Sequence, residues 1–176
     1  MKPPRRSART RAGKSRLLPL FGALCGVTLL SACTSAVPME AAEDATDPDC
    51  AAVIVRLPVE VADLAIRETD AQATAAWGDP AKALLRCGVT PPGPTTDRCF
   101  GIDGIDWVQD ASRTPLNTYT TYGRVPAVEV FVDETPGSGV SASSVLIGLT
   151  DAVGTIDPTG GCTDPEIVAP SETPAP

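Results

Sequence analysis

The side chains with the most chemical options here are six cysteines: Cys25, Cys33, Cys50, Cys87, Cys99 and Cys162. A reactive thiolate needs a nearby base and a positive environment. The chain contains no histidine, which removes the commonest general base and the commonest zinc ligand. Arg86 is adjacent to Cys87 in sequence, but neighbouring residues of a strand point to opposite faces. Zinc ligands usually arrive as pairs two to four residues apart, whereas the gaps from Cys50 through Cys162 are 37, 12 and 63 residues. Disulfides are therefore the expected chemistry of Cys50, Cys87, Cys99 and Cys162. Three connectivities exist for four cysteines. The expected one is Cys87–Cys99, across a loop rich in Pro and Gly, with Cys50–Cys162 joining the two ends of the domain.

Other constellations are weaker. Asp103, Asp106 and Asp110 lack the spacing of a helix–loop–helix calcium site and read as a solvated acidic turn. No Gly-rich phosphate loop, no GxSxG and no SxxK is present. The 22 acidic residues offer many carboxylate pairs, so a His-free hydrolase acting on glycan is the alternative function. No metal and no cofactor is expected. Trp107, Tyr122, Arg86 and Arg124, with Trp77 and Tyr119, would make a ligand or partner surface if they met on one sheet face. The competing reading buries the Trp side chains and pairs each Arg with a nearby acid.

The elements that must position these residues follow from periodicity. "CAAVIVRL" (Cys50 to Leu57) fits a short helix. "AQATAAW" (Ala71 to Trp77) alternates, with Ala71, Ala73, Ala75 and Trp77 on one side, and "GDP" turns the chain. Ala83, Leu85, Cys87 and Val89 then share one side of a half-buried strand, with Lys82 and Arg86 opposite. Further strands are expected at "IDWVQD" (Ile105 to Asp110), "NTYTTYGR" (Asn117 to Arg124) and "AVEVFVDE" (Ala127 to Glu134). Ser141 or Ser143 caps a second helix whose apolar stripe is Val145, Leu149, Ala152, Val153 and Ile156. The expected fold class is α+β: a mostly antiparallel sheet of four to five strands, two helices on one face, and disulfide staples.

The ends of the chain carry different information. Residues 2–16 are basic, and "LLPLFGALCGVTLL" (Leu17 to Leu30) is an apolar run of signal-peptide length, too short and interrupted for a comfortable spanning helix. "LSAC" (Leu30 to Cys33) resembles the bacterial lipobox. That resemblance implies cleavage between Ala32 and Cys33, with diacylglycerol on the Cys33 thiol. The alternative is a marginal transmembrane anchor that stays attached. All 22 acidic residues follow residue 39, so the chain from Cys33 onward has 7 basic residues and a net charge of −15. Such a body repels nucleic acid, which is not expected as a partner.

The expected organisation is thus a signal at residues 1–32, a lipid anchor and flexible acidic tether at 33–49, a domain at 50–167 and a disordered tail at 168–176. The tether, "TSAVPMEAAEDATDPD", would reach roughly 20–25 Å as a random coil. The expected location is the extracytoplasmic face of the membrane, held by lipid on Cys33, with an unidentified envelope protein or glycan as partner.

"AWGDPAKALLRCGV" (Ala76 to Val89), "GIDW" (Gly104 to Trp107) and "TTYGRVPAVEV" (Thr120 to Val130), with Cys50 and Cys162 outlying, resemble an actinobacterial family of uncharacterised secreted or membrane-anchored proteins, domain-of-unknown-function family 3515. Lys82 stands where that family often has an apolar residue. The resemblance implies an envelope location and brings no activity with it.

Overall fold

The computed structural model describes residues 35–163. Helix α1 (Pro48–Ile54) is followed by strands β1 (Glu60–Val61), β2 (Leu64–Arg67), β3 (Thr74–Trp77), β4 (Ala83–Val89), β5 (Arg98–Ile102), β6 (Ile105–Asp110), β7 (Leu116–Thr121) and β8 (Ala127–Asp133), then helix α2 (Ala142–Val153). The eight strands form one antiparallel sheet in the order β1-β2-β3-β4-β8-β7-β6-β5. The α+β class stands as expected, but the sheet has eight strands rather than four or five.

The central pair follows directly from alternation. β4 and β8 pair Ala83 with Val132, Leu85 with Val130 and Cys87 with Val128. Because side chains alternate along a strand, all six fall on one face, and all are buried. Leu84, Arg86, Glu129 and Phe131 take the other face. Both helices cover the apolar side. α2 starts where Ser141 accepts a hydrogen bond from Ser144 N, and it buries Val145, Leu146, Leu149, Ala152 and Val153. Each such aliphatic side chain contributes about 1.5–3 kcal/mol, as an upper estimate, by leaving water. α1 adds Cys50 and Val53, while Trp77 and Trp107 are the largest fully buried side chains of the same core.

Three strands were not expected, and each has a local reason. β1, at the sheet edge, has only two residues, and β2 beside it has four whose exposure does not alternate. They are joined through Ala62 and Asp63, both at positive φ, a turn without the usual Gly. β5 and β6 form a hairpin closed by Asp103 and Gly104, with Ile102 opposite Ile105. Asp-Gly is a strong hairpin signal, and it lies in the stretch read as an acidic turn.

The disulfides are Cys50–Cys87 and Cys99–Cys162, with Cα–Cα distances of 5.5 and 5.7 Å. The expected Cys87–Cys99 and Cys50–Cys162 pairing is wrong. β4 and β5 are separated by β8, β7 and β6, so four strand spacings, ~19 Å, separate residues that a disulfide needs within about 7 Å. Cys99 also lies beside Val108, on the opposite side of the sheet from Trp107 and the core.

The segment expected to be a flexible tether is docked from Ser35 onward. Val37 bridges Thr69 in parallel, and its N–H donates to Glu68 O at 2.8 Å. Met39 N donates to Asp70 Oδ1 at 2.8 Å, Asp44 N donates to Gly88 O at 2.9 Å, and Ala45 is buried. Backbone hydrogen bonds need no apolar period in the docking segment, so its composition concealed the contact. Gly88 makes the approach possible: at φ +98 it forms an irregularity in β4, and a Cβ there would lie 2.4 Å from the Asp44 carbonyl carbon. The signal, Cys25, Ala32, Cys33 and the tail at 168–176 lie outside the described residues.

Candidate functional site

The densest polar cluster sits where β7, the end of β8 and the start of α2 meet. The alternation of β7 turns Asn117 and Tyr119 towards the helix side. Glu134 follows β8 directly. Its Oε2 accepts from Asn117 Nδ2 at 2.6 Å and from the Tyr119 hydroxyl at 2.8 Å, and its Oε1 accepts from Ala142 N at 3.0 Å. Ala142 is the first residue of α2, so the carboxylate also meets the positive end of that helix. The cluster extends outward through Gln109, whose Nε2 donates to the Tyr119 hydroxyl at 3.3 Å, and through Thr114, whose hydroxyl donates to Asn117 Oδ1 at 2.9 Å.

A cleft of about 370 Å³ opens beside this cluster, with Arg98, Phe100, Gln109, Tyr119, Glu134 and Ser143 among its walls. The Arg98 guanidinium lies over the Phe100 ring, 4.9 Å from its centre. Burial alone would push the Glu134 carboxyl up, but the Asn117, Ala142 and Tyr119 donors outweigh it and hold the group below its ordinary range. The Tyr119 phenol moves far upward, through burial first and then through its bond to Glu134. The cleft therefore presents a fixed carboxylate and a fixed neutral phenol. Those groups suit recognition. A general acid at neutral pH would need a carboxyl moved upward.

The four residues expected to share a binding surface do not meet. Trp107 is wholly buried in the core, and its Nε1 has no hydrogen-bond partner among the described residues. Arg124 is buried too; it donates to the backbone oxygens of Ile156 and Gly104. Burial lowers its pKa, partly offset by Asp106 and Asp157. Arg86 is on the face away from the helices, paired with Glu129 at 2.5 Å and 5.6 Å from the Phe131 ring centre. Tyr122 lines a separate cleft of about 490 Å³ with Thr95, Asp97, Arg98 and the Cys99–Cys162 disulfide. Trp77 and Tyr119 are buried. The competing expectation fits the Trp residues and Arg86, but Arg124 satisfies itself on backbone carbonyls.

Sequence reasoning missed Glu134 and Asn117. The available signal was an acid just after a strongly alternating strand and eight residues before a helix N-terminus. Lys82 and Asp133 form a second ion pair on the far face, at 2.6 Å. The Lys82 ammonium, then the Thr135 hydroxyl and N–H, bring Asp133 down to about 2. Among the described residues, every cysteine is in a disulfide and no three His, Cys, Asp or Glu side chains gather as metal ligands.

Fold and site together define a disulfide-stapled α+β domain, built on one eight-stranded antiparallel sheet with two helices on a single face. Residues 20–159 match the family described as "Protein of unknown function (DUF3515)", and the chain belongs to that family. No curated protein and no solved structure matches it.

Proposed function

We propose that this chain is a lipid-anchored protein of the extracytoplasmic face of the membrane, and that its domain binds or scaffolds another envelope component without catalysing a reaction. The observation that carries the location is the complete pairing of Cys50, Cys87, Cys99 and Cys162 in two disulfides. Such bonds persist in oxidising compartments. The family match begins at residue 20, inside the apolar run, so "LSAC" lies within the matched stretch. No described helix is long and apolar enough to cross a membrane.

The binding role is supported by the cleft beside Glu134 and Tyr119, with Arg98 and Gln109 at its walls. The partner is an envelope protein or glycan. Glu134, held as a carboxylate by its three donors, does not supply the protonated acid that glycan hydrolysis in this cleft would need.

The test is processing. Globomycin, which blocks the lipoprotein signal peptidase, should accumulate full-length precursor. Cys33→Ala should remove the lipid-modified N-terminal peptide from the mass spectrum of the membrane fraction. Normal processing under globomycin, or unchanged anchoring of Cys33→Ala, would overturn the lipoprotein reading. Crosslinking in intact envelope, compared with a Glu134→Gln and Arg98→Ala double variant, tests the cleft: the partner band should weaken in the variant.

A further inference from the structure

Six large apolar side chains are exposed among the described residues, and three of them lie within twelve residues of one another: Val55 (78% exposed), Val59 (77%) and Ile66 (40%). Val59 and Ile66 face each other where β1 and β2 begin to pair, and Val55 caps the helix that precedes them. Val59 O accepts from Ile66 N at 2.8 Å. Ile66, Ile54 and Leu57 line a shallow depression of about 280 Å³ between α1 and β2.

The chain from the N-terminus reaches the C-terminal end of β2. Ser35 O accepts from Arg67 Nη2 at 3.1 Å, and Val37 bridges Thr69. Cys33 is two residues before Ser35, so the chain between their Cα atoms spans at most about 7 Å. A tether free from residue 33 to residue 49 would let the domain swing. With Ser35 docked, only Thr34 separates the anchoring position from a residue held to the end of β2.

We propose that the apolar edge formed by Val55, Val59 and Ile66 rests in the membrane surface, so that the domain stands edge-down on the bilayer. This orientation rests on the lipid anchoring of Cys33 proposed above. Arg56 and Arg67 flank the edge, but so do Glu60, Asp63 and Glu68. There is no excess of positive charge to attract anionic headgroups. The contact is apolar, and it is made lasting by the anchor, since a surface this small binds weakly alone. The cleft beside Glu134 then lies across the sheet from the bilayer, open to a partner.

The experiment uses the processed, lipidated full chain in phosphatidylcholine vesicles carrying acyl-chain bromine, a short-range quencher of tryptophan. Native Trp77 and Trp107 are buried and give a constant background. Val59→Trp adds a reporter at the proposed edge. Leu116→Trp adds one at another exposed apolar position, on β7, four strands from β2 and so ~19 Å away along the sheet. The added emission should be lost for Val59→Trp and kept for Leu116→Trp. Val55→Asp with Ile66→Asp in the Val59→Trp background should restore emission while the protein still floats with the vesicles. Unquenched Val59→Trp in protein that floats, equal quenching of both reporters, or no recovery in the Asp variant would each overturn the orientation. Protein that keeps residues 1–32 and lacks lipid would instead overturn the anchoring beneath it.

Discussion

The two ends of this domain are fastened by the same device in different surroundings. At the N-terminal end, Asp44 N donates to Gly88 O, and the Cys50–Cys87 disulfide follows within a few residues. At the C-terminal end, Thr159 N donates to Gly123 O at 2.6 Å, Cys162 N donates to Asp106 Oδ2 at 2.9 Å, and Cys162 bonds to Cys99. Each fastening presses backbone onto a glycine at positive φ. A Cβ on Gly123 would lie 2.3 Å from Gly160 O, as close as the Gly88 contact with Asp44. The surroundings differ. Cys50 and Cys87 have no exposed surface and belong to the core. Cys99 and Cys162 are half-buried at the wall of a 490 Å³ cleft. Linking segments of 37 and 63 residues give each bond about 4 kcal/mol in the chain-entropy model, a near tie. What separates the two bonds is access.

The largest expected difference is therefore in reduction. A small thiol reaches Cys99–Cys162 through the cleft, whereas Cys50–Cys87 must wait for the core to open. If that opening costs about 5 kcal/mol or more, the two rates differ by nearly four orders of magnitude or more. Timed alkylation of the folded protein, followed by peptide mass spectrometry, should find Cys99 and Cys162 labelled first. Simultaneous labelling would erase the distinction between the two ends.

Next in size is removal of each bond. Cys50→Ala with Cys87→Ala loses the cross-link and leaves a gap under α1, a cost of about 5 kcal/mol. Cys99→Ala with Cys162→Ala loses the cross-link at a half-exposed site and leaves no gap in the core, about 4 kcal/mol. Urea midpoints with unchanged slope measure both. Equal losses would mean that burial adds nothing beyond chain entropy.

How far this contrast was readable before the structure depends on what carries it. β4 and β8 were legible because one face is core and the other is not, so Leu85, Cys87, Val128 and Val130 alternate with Arg86 and Glu129. α2 was legible from Ser141 and the stripe at Val145, Leu149 and Val153. The pairing of Cys87 was not, because it depends on α1 lying over β4, a long-range fact absent from either segment. The docking of residues 35–47 was hidden for another reason: the segment contributes mostly its backbone N–H and C=O groups, and backbone is the same in every sequence. The cluster around Glu134 needs three elements to converge, and none of them marks the others.

The glycines give a smaller, sharper comparison. Gly88 lies within a central strand, and α1 begins four residues after Asp44, so the N-terminal segment has little freedom to move aside. Gly88→Ala should cost about 2–4 kcal/mol. Gly123 sits in the turn between β7 and β8, and the segment over it is peripheral, so part of the clash in Gly123→Ala is relieved by lifting that segment. About 1–2 kcal/mol is expected there, with faster reduction of Cys99–Cys162. The reverse order in melting temperature would place the firmer attachment at the C-terminal end.

The smallest effects come from single acceptors, and they separate attachment from mere contact. Asp106 Oδ2 accepts the Cys162 N–H at a half-buried site, while Asp70 Oδ1 accepts the Met39 N–H at an exposed one. Removing an acceptor from a half-buried donor leaves that donor unsatisfied, so Asp106→Ala should cost about 1–2 kcal/mol. Water replaces the Asp70 carboxylate at little loss, so Asp70→Ala should cost under about 1 kcal/mol. The more telling readout is hydrogen exchange. Asp106→Ala should speed exchange at Cys162 N–H and leave Met39 N–H as it was, and Asp70→Ala should do the opposite. If either substitution loosens both amides, the two fastenings are coupled through the sheet and act as one clamp, and the domain can no longer be described as two independently closed ends.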